Sequence, residues 1–370
     1  TAAGRKLRTA LRLLPSLDTP APPDVESVRV ACLLTLAVSE MLLGGLVAAV
    51  PRLEEAHRLA ADSPELVARW RCQRGLIHGR CGDLATAEVE LQVVVDEPQW
   101  FTPYERCAMR LNRGMVFFEL GRPADALREF EAAAELAREV GDDRELFMAE
   151  HNRGYALYLT GDLPQALATM AAAEELPADV FRGTSLFDLA RVLGEAGLLD
   201  DAVDALDRAQ AACRPHQDRI LRAEIDRERA LLLRLTGDFD EAAASARASR
   251  ARFQRLGAPG PAARAGMIVL DCDLSRGRRL PDVVSGALTH EDIARRLGDG
   301  ELRARSIAVA AEAAARLGRV DVARAALRRY PPESFGLILH LRHVYAAAVT
   351  DLAAGRSPRR RLAAAAADLA

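Results

Sequence analysis

The chain has 370 residues, half of them hydrophobic but only 5% aromatic, and a formal charge of −3 at neutral pH. Such a balance gives no global attraction to nucleic acid or to an anionic membrane. The length exceeds the ~250–300 residues at which a single core stops growing, so it calls for several domains or for a repeat array whose units contact only their neighbours.

The apolar mass is Ala and Leu, strong helix formers, and strand formers are sparse, so the expected class is all-α. Lys6 is the only lysine, and this arginine and alanine bias suggests a GC-rich bacterial source. Cys32, Cys72, Cys81, Cys107, Cys213 and Cys272 lie in helical patterns without CxxC pairs, as expected for reduced thiols in the cytoplasm.

From the N-terminus, a short amphipathic run from Leu7 to Leu14 precedes PSLDTPAPP, whose prolines disfavour helix. Residues 1–23 therefore read as an N-terminal helix and Pro-rich linker, and residues 24–370 as a repeat array. Next comes Val30 to Val50, the one stretch long and apolar enough to cross a bilayer. Glu40 at its centre would cost about 3 kcal/mol there, and Gly44-Gly45 falls where the repeat demands a turn, so a helical hairpin is expected.

The repeat is set by Gly44, Gly82, Gly121, Gly161, Gly197, Gly237, Gly277, Gly318 and Gly355, which recur at intervals of 36 (Gly161 to Gly197) to 41 residues (Gly277 to Gly318). Five positions after most of these stands Ala (Ala49, Ala87, Ala126, Ala166, Ala202, Ala242, Ala323). Seven before stands another small residue (Ala37, Gly75, Gly114, Gly154, Ala190, Ala230, Ala311, Ala348). Two antiparallel helices that approach closely need small residues at the contact. The turn Gly closes the first helix in the left-handed conformation, and Asp83, Asp162 or Asp238 caps the second. Leu127, Phe130, Leu167 and Met170 continue the second helices as an apolar stripe. The seventh unit, about 258–297, is expected to be irregular because Asp282 stands where Ala should.

Units from Asn112-Arg113-Gly114 to Ala133 and from Asn152-Arg153-Gly154 to Ala173 resemble the tetratricopeptide repeat (TPR) family, though the period is nearer 39 residues than the family's 34. The resemblance implies a right-handed superhelical solenoid of about nine antiparallel helix pairs that binds a protein or peptide segment on its concave face, lined by the first helices. Counted from the repeat frame, the inward positions include Phe118, Glu119, His151, Tyr155, Tyr158, Arg191, Glu195, Arg227 and Arg234. Aromatics and arginines are the usual hot-spot residues. The arginine- and alanine-rich units, RFQRLGAP at Arg252 and LSRGRRLPDVV resemble the TPR region of bacterial CHAT proteins, which would place a caspase-like peptidase domain C-terminal to these residues. A TPR sensor arm of a transcriptional regulator is the alternative.

Chemistry is not expected in this chain. His78 and Cys81 share a helix face, but nothing nearby in the sequence orients the imidazole. His340 and His343 lack a local third ligand, and phosphate-loop, HExxH and GxGxxG patterns are absent, so no cofactor, metal or catalytic residue is assigned. Basic runs at Arg276, Arg278 and Arg279 and at Arg356, Arg359, Arg360 and Arg361 lack the interleaved aromatics of a nucleic-acid site. Arg74, Arg113, Arg153 and Arg229 recur just before the small residue of the first helix, and pairing with acids such as Glu119, Glu150 and Glu228 is favoured over anion recognition.

Overall fold

In the computed structural model, which describes residues 9, 23–177, 181–329 and 337–367, the chain forms two compact units, Thr1–Val180 and Phe181–Ala370. Among the described residues every regular element is helical. Leu7 to Leu14 and the Pro-rich stretch fall outside the described residues, apart from Thr9 and from Pro23, which opens the first described helix.

In the first unit, α1 (Pro23–Ala60) breaks at Gly44 and Gly45 into two arms, 23–43 and 46–60. The segment is long and apolar enough to cross a membrane by length and composition. In the structure it forms a hairpin, whose apolar residues Leu33, Ala37, Ala49, Leu53 and Ala56 are buried in one cluster. Gly44 keeps the packing frame, but the left-handed residue is Gly45 (φ 69°), which corrects the turn by one position. After the hairpin come α2 (Pro64–Arg80), α3 (Leu84–Leu91), α4 (Val93–Asp96), α5 (Pro103–Glu119), α6 (Pro123–Val140), α7 (Asp143–Thr160) and α8 (Leu163–Glu174).

The second unit comprises α9 (Arg182–Glu195), α10 (Leu199–Ala212), α11 (Arg219–Thr236), α12 (Phe239–Arg255), α13 (Pro259–Ser275), α14 (Leu280–Leu297), α15 (Gly300–Arg316), α16 (Val320–Leu327), α17 (Leu337–Ala353) and α18 (Arg359–Ala367). With α1 counted as one pair, the described residues hold the nine expected helix pairs, and each unit has a TPR-like solenoid fold.

The turn glycines after the first all have positive φ, from 64° at Gly277 to 94° at Gly161. Asp83, Asp162 and Asp238 cap the following helices by accepting from the backbone N–H groups of Thr86, Gln165 and Glu241. In the second, third and fourth pairs the small residue of the first helix meets a large one sixteen positions later. A Cβ on Gly75 would sit 2.9 Å from Leu91 Cγ, and one on Gly114 or Gly154 would overlap Phe130 or Met170. Glycine is needed here for space, and a larger side chain would force the helices apart.

The seventh pair, α13 and α14, keeps two full helices, and its irregularity at Asp282 is a shift of register. In the second to sixth pairs and in the eighth the second helix starts two residues after the turn Gly, but α14 starts three after Gly277, with Arg279 taking up the extra residue at φ 51°. Val283 accordingly donates its backbone N–H to Arg279, as Ala87 does to Asp83. The packing position is therefore Val283, which is fully buried, and Asp282 points to solvent. The small and large partners also exchange helices: Leu270 on α13 faces Gly286 on α14, where an added Cβ would lie 3.1 Å from the leucine.

Candidate functional site

The arginines that precede the small residues are tied into ion pairs. Arg74 pairs with Glu90 and Arg113 with Glu129, in each case sixteen residues on, across the same helix pair. Glu129 also takes Arg110 at 3.1 Å, and burial pulls the Arg113 guanidinium below its usual pKa. Arg153 reaches Glu150 at 2.8 Å, and Arg229 reaches Asp207 at 2.9 Å. Pairing was the expected role, but the partners differ. Of the named acids, Glu150 serves Arg153, Glu228 lies 4.0 Å from Arg227, and Glu119 is exposed with no ion pair among the described residues. Mutual neutralisation of buried charges is the physical reason: a guanidinium taken out of water needs a carboxylate at contact distance.

In the first unit, α5 and α7 are neighbouring first helices, and they bring four of the nominated residues onto one half-exposed surface. The Phe118 and Tyr155 rings meet edge to face at 6.0 Å, and Tyr155 and Tyr158, one helical turn apart, lie 5.7 Å apart. Phe118 rests on the buried Phe130 ring at 5.1 Å, so the cluster is anchored to the small–large packing of the third pair. His151 lies parallel to Phe147 at 6.3 Å, one turn before Tyr155. Glu119 is exposed at the edge.

Two further features of this surface escaped the sequence reading. Met115, 43% exposed, occupies on α5 the register that Tyr155 has on α7, six residues before the turn Gly, and this coincidence was the available signal. It lines a cavity of about 90 Å³ with Gly79, Asn112 and Glu119. A larger groove of about 470 Å³ lies between the first arm of α1, α2 and α5, walled by Ala31, Leu34, Leu66, Phe101 and Met109. Arg69 spans it, bound to Glu65 at 3.0 Å and Glu105 at 2.7 Å. No local motif marks it, because its walls come from three separate helices.

In the second unit, Arg191 and Glu195 on α9 and Arg227 on α11 lie within electrostatic reach of Glu228. Burial raises the Glu228 carboxyl above the usual range, with Arg227 and Arg191 opposing the shift. Arg227 is itself held by Glu224 at 2.7 Å. Arg234 is not part of this cluster and lies beside Cys272, where burial pushes the thiol up to about 11 and the Arg234 charge opposes it.

His78 is oriented after all: its Nδ1 is 2.8 Å from Asp83, which the helix cap brings back across the turn. The bond to His78 holds the Asp83 carboxyl down at about 2. Cys81 is exposed at the end of α2. Among the described residues no three His, Cys, Asp or Glu side chains converge on a metal-sized position.

Residues 105–179, which carry the aromatic cluster, match the tetratricopeptide repeat family. No curated protein matches the chain. Its fold is similar to that of the apo quorum sensor NprR from B. thuringiensis (13% identity over 88% of this chain and 90% of that one, TM-score 0.66). It is also similar to a Pyrococcus horikoshii STAND signal-transduction ATPase with a tetratricopeptide repeat sensor (15% identity, 90% of this chain, TM-score 0.62), of whose length the chain spans 53%. A third likeness is to a Rap protein complexed with competence and sporulation factor (10% identity over 93% of this chain and 98% of that one, TM-score 0.52).

Proposed function

We propose that this chain is a protein- or peptide-binding regulatory module that works in the cytoplasm and performs no chemistry itself. The observation that carries the reading is the half-exposed cluster of Phe118, Tyr155 and Tyr158 on adjoining first helices. An extended or helical segment would lay its apolar side chains across this cluster and Met115. Aromatic surfaces on a rigid support bind well because little conformational entropy is lost when they are covered. Arg191, Glu195 and Arg227 would supply a polar stretch of the same binding role in the second unit.

Within that reading, the chain serves as the regulatory part of a TPR–CHAT peptidase, in which a caspase-like domain C-terminal to these residues would do the hydrolysis. The repeat character supports it. A second reading, an effector-sensing arm of a larger regulator, is favoured by the fold likeness to a quorum sensor and to the sensor of a STAND ATPase. The domain encoded beside these repeats separates the two: a caspase-like domain supports the first, and a DNA-binding or nucleotide-binding domain overturns it in favour of the second.

The binding role itself is tested by selecting peptides from a random display library against the chain. Their affinity is then compared with Tyr155→Ala and Tyr158→Ala variants that keep their circular dichroism spectrum. Each truncation should weaken binding about tenfold or more, as for aromatic hot spots. Unchanged affinity in both rejects this surface.

A further inference from the structure

A second concave feature lies in the second unit, at the end of the sixth helix pair remote from its turn glycine Gly237. There the start of α11 and the end of α12 enclose a pocket of about 160 Å³ lined by Arg219, Arg222, Arg252 and Arg255 with Pro215 and Leu256. Four of its six lining residues are thus guanidinium-bearing. Local acids offset this only in part. Arg252 is held by Asp226 at 2.6 Å, and the same carboxylate lies within electrostatic reach of Arg222, whose contact partner is the neutral Gln210 amide, its oxygen at 2.8 and 3.1 Å once the amide is turned to accept. Arg255 donates to the Ala251 carbonyl at 3.2 Å, and Arg219 has no ion pair among the described residues.

The helix end adds to the same field. Asp218 precedes α11 but does not cap it. Its carboxylate is drawn away to the Arg214 backbone N–H at 2.6 Å, with the Arg214 guanidinium 3.8 Å off. The first-turn N–H groups of an eighteen-residue helix therefore keep their partial positive charge without a side-chain acceptor. Elsewhere in the chain the recurrent arginines are neutralised by contact carboxylates. This pocket gathers more guanidinium than carboxylate in one half-open recess.

We propose that this pocket is a binding site for a phosphate-class oxyanion. Its volume is that of about five waters at ~30 Å³ each, the scale of a phosphate or diphosphate and well below that of a peptide segment. No aromatic residue lines it to stack a nucleobase. The fork of N–H donors on each guanidinium matches the oxygens of a phosphoryl group, and the bond is charge-assisted. A bound anion would tie α11 to α12 and stiffen the pair from the edge opposite its turn. The site belongs to the second unit and does not depend on the function proposed for the aromatic surface of the first.

The test is isothermal titration calorimetry of the 370-residue chain at low ionic strength, with two probes: inorganic pyrophosphate, and phosphoserine within a blocked tripeptide. The expected result is one saturable site that weakens with added salt. The better probe shows whether the phosphoryl group is accepted free or as an ester. Arg219→Ala and Arg255→Ala each remove a guanidinium that holds no carboxylate, so the fold should survive. Each should weaken binding about tenfold, the usual effect of one lost charge-assisted hydrogen bond. Arg356→Ala, on the exposed turn before α18, should leave it unchanged. Arg219→Glu gives a second reading by reversing the charge. The proposal is overturned if neither probe gives a saturable isotherm, or if both pocket variants and the Arg356 control bind alike.

Discussion

The third and seventh helix pairs solve one packing problem in opposite ways. In the third, Gly114 on the first helix accepts the Phe130 ring from the second. In the seventh, Leu270 on the first helix fills the space above Gly286 on the second, at the same sixteen-residue separation. What the architecture requires at this point is one large and one small side chain facing each other, whichever helix supplies each. A repeat pattern that fixes the small residue on one helix describes the common solution and misses the reversed one. The pairs differ also in their turns. The third pair enters its second helix directly after the glycine and Arg122, while the seventh inserts Arg279 in a left-handed conformation and shifts the buried position from Asp282 to Val283.

The sharpest way to break this comparison is at that shifted register. Val283→Asp would place a carboxylate in a fully buried site with no partner, and it should cost about 4 kcal/mol or more of unfolding free energy. Asp282→Ala, one residue away, should stay within ~0.5 kcal/mol. Denaturant titration of the two variants gives the answer, and the reverse ranking would restore the uninterrupted frame. Next in size is Gly114→Ala, whose methyl would press on the Phe130 ring from a helix that has no room to withdraw. A loss of about 1–3 kcal/mol is expected by the same method, and a stability equal to wild type would mean that the pair is loosely packed. Smallest is Arg279→Gly, which relieves a left-handed backbone at the cost of an exposed ion pair with Asp282. It should raise stability by about 1 kcal/mol, seen as a higher thermal midpoint, and a lower midpoint would show that the extra residue is not strained.

The fold was legible because its determinants are local and periodic. A glycine that ends a helix, an aspartate that caps the next and an alanine five residues on all act within about two helical turns. Positions such as Gly161, Asp162 and Ala166 therefore carry their structural role in plain sequence. Less was legible where the determinant was a difference of one residue, as at Gly45 and Arg279, since turn length is set by a backbone conformation that composition does not reveal. The aromatic group could be nominated because Phe118 and Tyr158 share a register and Tyr155 sits one turn before, so neighbouring first helices bring them together. The groove beside Arg69 and the arginine pocket at the start of α11 were out of reach. Their walls come from helix ends and faces whose meeting depends on how far each helix runs. The Arg74–Glu90 and Arg113–Glu129 pairs stood between. Their sixteen-residue separation is the one that joins Gly75 to Leu91, and the same frame would have predicted it.

That separation has a consequence for how the chain is made. Nearly every buried pair described above closes within a short loop, so a helix pair can reach its final packing soon after both of its helices have been synthesised, and neighbours can then be added in order. Among the described residues, Asp271 reaches furthest along the chain. Its buried carboxylate is held by Arg305, 34 residues later, and by Arg342, 71 residues later, so three successive pairs must be in place before its charge is fully matched. One charge cluster thus joins the seventh, eighth and ninth pairs, and a chain stopped short of Arg342 would leave Asp271 without one of its two guanidinium partners.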